Sequence, residues 1–246
     1  MTRPPRPMIR CAVACLVLGG TAPAAAESIG DGWSVGVDAM ALTREYAIGD
    51  QELSASGALA GAYVSFQRFP GFRAEARLLA GGLENEIEGD RSSDPVSFGE
   101  GSLTWGVALP NRARLYGGIA AQTFRGELGE DGDETSTLLY LPLGLSKAGN
   151  LHGGWRAVTT LEARVLVGGR HEIEWPSGDS GDFDAFGGLG GELSARFIHP
   201  ETPVEIEPYL RALAAADSRS DDFGGSDERV EGLSQAALGV RLAARF

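Results

Sequence analysis

Leu233 to Phe246 reads LSQAALGVRLAARF. Taken in steps of two, one parity is Phe246, Ala244, Leu242, Val240, Leu238 and Ala236, and the other is Arg245, Ala243, Arg241, Gly239, Ala237 and Gln235. A period of two belongs to a strand whose side chains alternate between two environments. One environment here is apolar, the other takes arginine, and the stretch ends on an aromatic ring.

The alternation recurs along the chain, and helical spacing of apolar residues never persists. Ten strands are expected: Trp33–Tyr46, Gly57–Phe69, Phe72–Ile87, Val96–Leu109, Ala113–Arg125, Thr135–Ser146, Trp155–Trp175, Ala185–Ile198, Val204–Ser218 and Leu233–Phe246. Each has an apolar or small parity, as in Val35, Val37, Ala39 and Ala41, or Leu139, Leu141, Leu143 and Leu145. In the seventh strand this parity runs Trp155, Ala157, Leu161, Ala163, Val165, Val167 and on to His171. The opposite parity collects Asp38, Arg44, Arg73, Glu75, Arg77, Glu100, Arg114, Glu162, Arg164, Arg170, Glu172, Glu192, Arg196, Glu205, Glu207, Arg211, Asp217, Arg241 and Arg245. Tyr63, Tyr116, Tyr140 and Tyr209 share it.

A soluble sandwich also alternates, but its apolar face is a close-packed core of large residues. Here that face is light in Ala, Gly, Val and Leu, and the strands are longer than those of most globular sheets. Its aromatics, Trp33, Phe72, Trp155, Phe197 and Phe246, gather where strands meet short turns or the chain end, as in an interfacial girdle. Trp175 is the clearest candidate for an opposite girdle. The expected fold is therefore all-β, a transmembrane antiparallel up-and-down β-barrel of ten strands, with eight or twelve as alternatives.

Composition fits this frame. The first 26 residues combine Arg3, Arg6 and Arg10, an apolar run and Ala24-Ala25-Ala26, the pattern of a secretory signal peptide that is removed. Residues 27–246 then form the barrel domain. The formal charge of -13 becomes -16 without those three arginines, and both cysteines, Cys11 and Cys15, leave too. Disulfides therefore play no part in the expected fold.

Connections alternate between short (Pro70-Gly71, Pro110 to Arg112, Lys147 to Gly154, His199 to Pro203) and long acidic ones. The long class (AIGDQE, EGDRSSDP, GELGEDGDET, PSGDSGDFD, DDFGGSDERVEG) holds 18 acids against Arg91 and Arg229. Short turns on the periplasmic side and long loops outside is the barrel pattern, and an even strand number leaves both termini periplasmic.

These features resemble the small outer-membrane β-barrel proteins of Gram-negative bacteria, a superfamily that includes the OmpA-type barrels. The likeness covers residues 27 to 246. Phe246, Leu242, Val240 and Leu238 resemble the terminal signal read by the barrel-assembly machinery. The resemblance implies outer-membrane lipid and lipopolysaccharide as surroundings, that machinery as a partner during biogenesis, and a monomer that binds no nucleic acid.

A barrel of about ten strands is narrow, whereas aqueous channels belong to sixteen or more. Charges in so tight a lumen must pair. The expected interior network is Arg73, Glu75, Arg77, Glu100, Arg114, Glu162, Arg164, Glu192, Arg196, Glu205, Glu207, Arg211 and Arg241, plugging the lumen with at most a thin water path. No cofactor and no metal site is expected. The acidic loops lack EF-hand spacing, so a divalent cation there is the nearest approach to one. A structural or surface-interaction role follows. The alternatives are a narrow porin-like channel for small solutes and a rim-active outer-membrane hydrolase. The hydrolase needs a nucleophile within reach of a base. His152 and His199 sit in short turns, HEIEW around His171 contains no serine, and Asp217, Asp221 and Asp222 have no histidine beside them. The chain is therefore read as a non-enzyme.

Overall fold

A computed structural model describes residues 32–48, 51–68, 71–87, 90–127, 132–174, 180–184, 187–216, 218–219 and 229–246. The expected signal segment, Trp175, Asp217, Asp221 and Asp222 lie outside these residues, as do many of the loop acids.

Twelve strand segments make ten staves: β1 Gly32–Ile48, β2 Gln51–Arg68, β3 Phe72–Ile87, β4 Asp90–Leu109, β5 Ala113–Glu127, β6 Asp133–Asn150, β7 Arg156–Glu174, β8 Ser180–Asp184, β9 Gly188–Ile198, β10 Val204–Ala215, β11 Ser218–Arg219 and β12 Arg229–Arg245. The short β8 and the longer β9 both pair with β7 and together form the eighth stave. In the same way β10 and β11 both pair with β12 and form the ninth. The stretch quoted first closes the barrel: Ser34 lies opposite Arg245, Val37 opposite Leu242 and Asp38 opposite Arg241. Closure pairs the long staves on both sides, while at the distal end β8 meets β11 only through Asp184 and Arg219. At the turn between β4 and β5, Asn111 and Arg112 both have positive φ (60° and 58°), the handedness that a tight two-stranded hairpin requires.

Several staves run further than their alternation suggested. β1 ends at Ile48 and β2 starts at Gln51; β3 ends at Ile87 and β4 starts at Asp90. Much of AIGDQE and EGDRSSDP is therefore wall rather than loop. β6 reaches back to Asp133, so Glu134, expected in a loop, belongs to a stave. Pro142 has no ladder donor, and the β5 pairing lapses there, stopping at Gly117 opposite Leu143 and resuming at Ala120 opposite Tyr140.

A second irregularity has larger consequences. Leu139 pairs with Gly168 but Tyr140 pairs with Leu166, so Val167 is an extra residue in β7. A one-residue bulge exchanges the two faces beyond it. His171, expected outside, therefore points into the barrel and is 2% exposed, while Arg170 and Glu172, expected inside, are exposed. Ala157, also expected outside, is buried opposite Gly149 and Phe197.

The outer wall is apolar from the end carrying Phe246, here the basal end, through most of its height. Trp33, Val35, Val37, Leu103, Leu143, Leu161, Leu210, Leu238 and Leu242 are all exposed. Nearer the distal end the outward positions turn polar: Thr43 and Glu45 on β1, Glu84 and Glu86 on β3, Thr123 and Arg125 on β5. Interior positions invert at about the same height. On β1 the lumen side runs Asp38, then Met40 and Leu42; on β3 it runs Arg73, Glu75, Arg77, then Leu79 and Leu83. The basal part is apolar outside and charged inside, and the distal part is the reverse.

Candidate functional site: a lumen closed in two layers

The lumen is a concave space built from many staves, and the side chains that line it come from nearly every one of them. Antiparallel register places opposite charges on neighbouring staves: Asp38 faces Arg241, which faces Glu207, and Arg77 faces Glu100. Glu100 is the hub. It accepts from Arg77 (3.0 Å) and Arg164 (3.4 Å), and its two oxygens also take the guanidinium of Arg211. Glu192 accepts from Arg164 (2.8 Å) and Arg211 (2.9 Å) and lies 3.5 Å from Arg241. Asp38 accepts from Arg77 (2.9 Å) and from the Tyr209 hydroxyl (2.8 Å).

The tyrosines extend this array. Tyr63 donates to Glu75 (2.9 Å), Tyr116 donates to Glu162 (2.8 Å), and Arg164 donates to the Tyr140 hydroxyl (3.1 Å). Tyr116 and Tyr209 have room because the residues opposite them are Gly144 and Gly239, where a Cβ would run into the rings. Toward the basal end, Arg73 binds Glu75 (2.9 Å) and Arg241 binds Glu207 (3.2 Å). Arg196 reaches Gln67 (3.1 Å) and lies 3.8 Å from Glu205, while Arg245 lies 3.9 Å from Glu205. Arg114 donates to the Gly71 carbonyl (3.4 Å) and stacks on Tyr116. A void among these groups has a volume of about 30 Å³, enough for water but not for a solute.

Alternation alone did not show what lies above. Met40, Leu42, Leu59, Leu79, Leu83, Val96, Phe98, Phe124 and Ala237 pack across the lumen. A second cluster joins Leu53, Leu138, Leu166, Ile173, Leu213, Ala215 and Leu233 to Tyr46. The interior is thus not the purely charged plug expected: a layer of apolar side chains packs across it, with the part-buried Gln122–Gln235 hydrogen bond (2.9 Å) at the same height.

One ionic group is enclosed by this layer. Arg44 grips Glu134 with two hydrogen bonds (3.0 and 2.7 Å) and stacks on Phe124, 3.8 Å from the ring centre. Tyr46 donates to Glu134 (3.0 Å), and His171 Nδ1 lies 3.5 Å from the same carboxylate. Arg44 was expected on the inward parity but not in the ion-pair network; Glu134 was missed because its sequence context, GEDGDET, reads as loop.

Ser136 stands opposite His171 on β6, so serine, histidine and glutamate share one neighbourhood. Among the described residues the Ser136 hydroxyl makes no hydrogen bond to His171, Arg44 holds Glu134, and all three side chains are buried.

On the outer wall near the basal end, Trp33, Phe66, Phe72 and Trp105 form a continuous aromatic row across four staves, with centroid spacings of 5.0, 6.2 and 5.7 Å. Phe66 and Trp105 were not among the expected girdle residues. Trp155 packs edge-on against His199, Phe197 is half-buried, and Phe246 is 78% exposed. Leu238, Val240 and Leu242 share the outward side of β12 with Phe246.

No family model and no curated protein sequence matches the chain. Among solved structures, it is similar to the outer membrane protease OmpT of Escherichia coli, with a TM-score of 0.53 and 10% identity over 89% of this chain and 99% of that one. The β domain of the Bordetella autotransporter BrkA gives 0.45 and 12% over 85% and 98%, and the translocator domain of NalP from Neisseria meningitidis gives 0.42 and 15% over 89% and 90%. At such identities the likeness is one of fold. The class of protein that the architecture defines is the ten-stranded antiparallel barrel of the outer-membrane type.

Proposed function

We propose that the protein is an integral outer-membrane β-barrel that conducts no solute and acts through its outer surface, as a structural or surface-interaction protein. The observation that carries this reading is the filling of the lumen by a cross-stave ion-pair array and, distal to it, a layer of packed apolar side chains. Among the described residues, both layers oppose the passage of an ion. The narrow-channel alternative needs a continuous polar path, and the apolar layer argues against one.

The membrane assignment rests on the outward apolar wall, the basal aromatic row and the polar distal rim. In this reading the basal end is periplasmic, with both termini there, and the acidic connections face outward. Phe246, Leu242, Val240 and Leu238 are the contact offered to the assembly machinery. Lipid and lipopolysaccharide surround a monomer.

Two measurements test the proposal. The folded protein should migrate differently in gels with and without boiling, and should stay in the outer-membrane fraction; recovery as a soluble periplasmic species would end the membrane reading. In planar bilayers the pure protein should give no unitary current, and steady single-channel steps would end the closed-lumen reading.

A further inference from the structure

The bulge in β7 turns one histidine, His171, into the barrel, where it is 2% exposed; His152 and His199 lie at the basal turns. His171 stands distal to the apolar outer wall, since the outward residues nearest it, Arg170 and Glu172 on β7 and Thr135 and Thr137 on β6, are polar. Among the described residues, the charged and titratable groups that face it come from two staves. β1 supplies Arg44 and Tyr46, and β6 supplies Glu134, with Ser136 directly opposite. Tyr46 meets the imidazole edge-on, with ring centres 5.4 Å apart. The register partner on β8 is Phe183. The cluster drawn from β2, β6, β7, β10 and β12 around Tyr46 is otherwise aliphatic.

Both oxygens of Glu134 are engaged. Arg44 donates to each, and Tyr46 donates to Oε2. His171 Nδ1 lies 3.5 Å from Oε1, the oxygen that Arg44 already holds at 2.7 Å. With a neutral imidazole the group balances, one guanidinium against one carboxylate. A proton on His171 sets a second cation beside the same carboxylate within a packed apolar layer, where an uncompensated charge is costly. Burial, opposed by Glu134 and reinforced by Arg44, holds the imidazole below its ordinary value of 6.5.

We infer that Arg44, Glu134 and His171 form a proton-operated latch on the distal layer, closed around a neutral imidazole and loosened by acid, while the basal ion-pair array stays intact. The inference rests on the closed-lumen reading and adds its regulation. The closed form binds the proton less readily than the opened form, so opening takes up a proton. The opening constant therefore rises as pH falls below about 6.5, by up to about tenfold per pH unit, and levels off once the closed form is protonated too.

Hydrogen exchange of the full chain in lipid vesicles, read by mass spectrometry and corrected for the intrinsic pH dependence of amide exchange, measures that opening. Segments 133–139 and 168–174 should open about tenfold more at about pH 5 than at about pH 7, while segments 73–78 and 205–211 keep their protection. His171→Leu should remove the dependence, and His152→Gln should retain it. Arg44→Met gives a test of sign: Glu134 then lacks its guanidinium, the imidazolium becomes its partner, and acid should tighten the same segments. An equal response in wild type and His171→Leu, parallel loosening of the basal segments, or acid loosening in Arg44→Met overturns the latch. Planar-bilayer recording at neutral pH separates the two levels. Steady current there removes the closed-lumen reading whatever the exchange shows, and silence with pH-independent exchange removes the latch alone.

Discussion

Replacing Glu100 by glutamine removes one negative charge from the centre of the lumen with almost no change of shape. Three guanidiniums lose a carboxylate: those of Arg77, Arg164 and Arg211. None is left without another, because Arg77 keeps Asp38 (2.9 Å), Arg164 keeps Glu162 and Glu192 (both 2.8 Å), and Arg211 keeps Glu192. Removing one partner of a buried pair typically costs about 3–5 kcal/mol. The remaining carboxylates hold the loss at the lower end, about 3 kcal/mol, rather than a threefold multiple of it. That corresponds to roughly a hundredfold smaller folding constant. Urea unfolding in lipid vesicles, followed by tryptophan fluorescence and by gel mobility, measures it directly. Replacing Glu100 and Arg211 together by leucine removes one charge of each sign and should recover most of the loss, because apolar groups often replace buried ion pairs without penalty. The same Glu100→Gln protein should stay electrically silent, since Phe98, Leu59 and Leu79 still cross the lumen distal to the altered site. Wild-type stability in Glu100→Gln would refute the hub argument, and steady current from that single substitution would refute the apolar seal.

Four other outcomes follow from the same geometry. Gly144→Ala places a methyl group against the Tyr116 ring and should pull its hydroxyl from Glu162, lowering stability by about 1–3 kcal/mol in thermal unfolding; an unchanged midpoint would contradict the packing described. Arg44→Met alone should cost about 3–5 kcal/mol, and Arg44→Met with Glu134→Leu much less, a difference that a double-mutant cycle in urea reads. A serine-directed fluorophosphonate should leave the folded protein unlabelled, because Ser136 is enclosed; labelling abolished by Ser136→Ala would revive the hydrolase reading. Phe246→Ala should lower the assembled, heat-modifiable fraction in cells while leaving in vitro refolding nearly intact; loss in both would make the ring a stability element rather than a signal.

Strand number and closure between the first and last staves were legible because each depends on alternation alone. Asp38, Arg77, Glu100 and Arg211 are flanked by small or apolar residues in unbroken period two. His171 was misplaced because a bulge leaves no mark in composition: VLVGGRHEIE alternates acceptably in either phase, and only the pairing of Tyr140 with Leu166 shows the slip. Glu134 was missed for a different reason. Five acids among the eight residues from Glu127 to Glu134 read as solvated loop, and one of them enters the barrel only because Arg44 and Tyr46 wait on a stave 88 or more residues away. Register between distant staves is a tertiary property, and local pattern does not encode it.

The inversion along the staves did carry a sequence signal, though one that a single label for each parity hides. In β3, FRAEARLLAGGLENEI, the charges of Arg73, Glu75 and Arg77 fall on one parity, and those of Glu84 and Glu86 fall on the other. A side chain cannot change face without a bulge, and β3 has none in its pairing with β2 or β4. The environments must therefore exchange sides along the stave: apolar outside and charge inside at first, then water outside and an apolar core inside. Under the proposed membrane reading, that is what a barrel passing from hydrocarbon into solvent while keeping one continuous wall should show. The boundary is set by the last outward apolar residue of each stave, Ala80 on β3 and Ala41 on β1 among them. The distal part then has the construction of a small soluble barrel, which needs a hydrophobic interior to hold its wall together outside the bilayer. The apolar layer across the lumen is this same core, so the packing that supports the exposed rim is also what, in the proposed reading, closes the lumen.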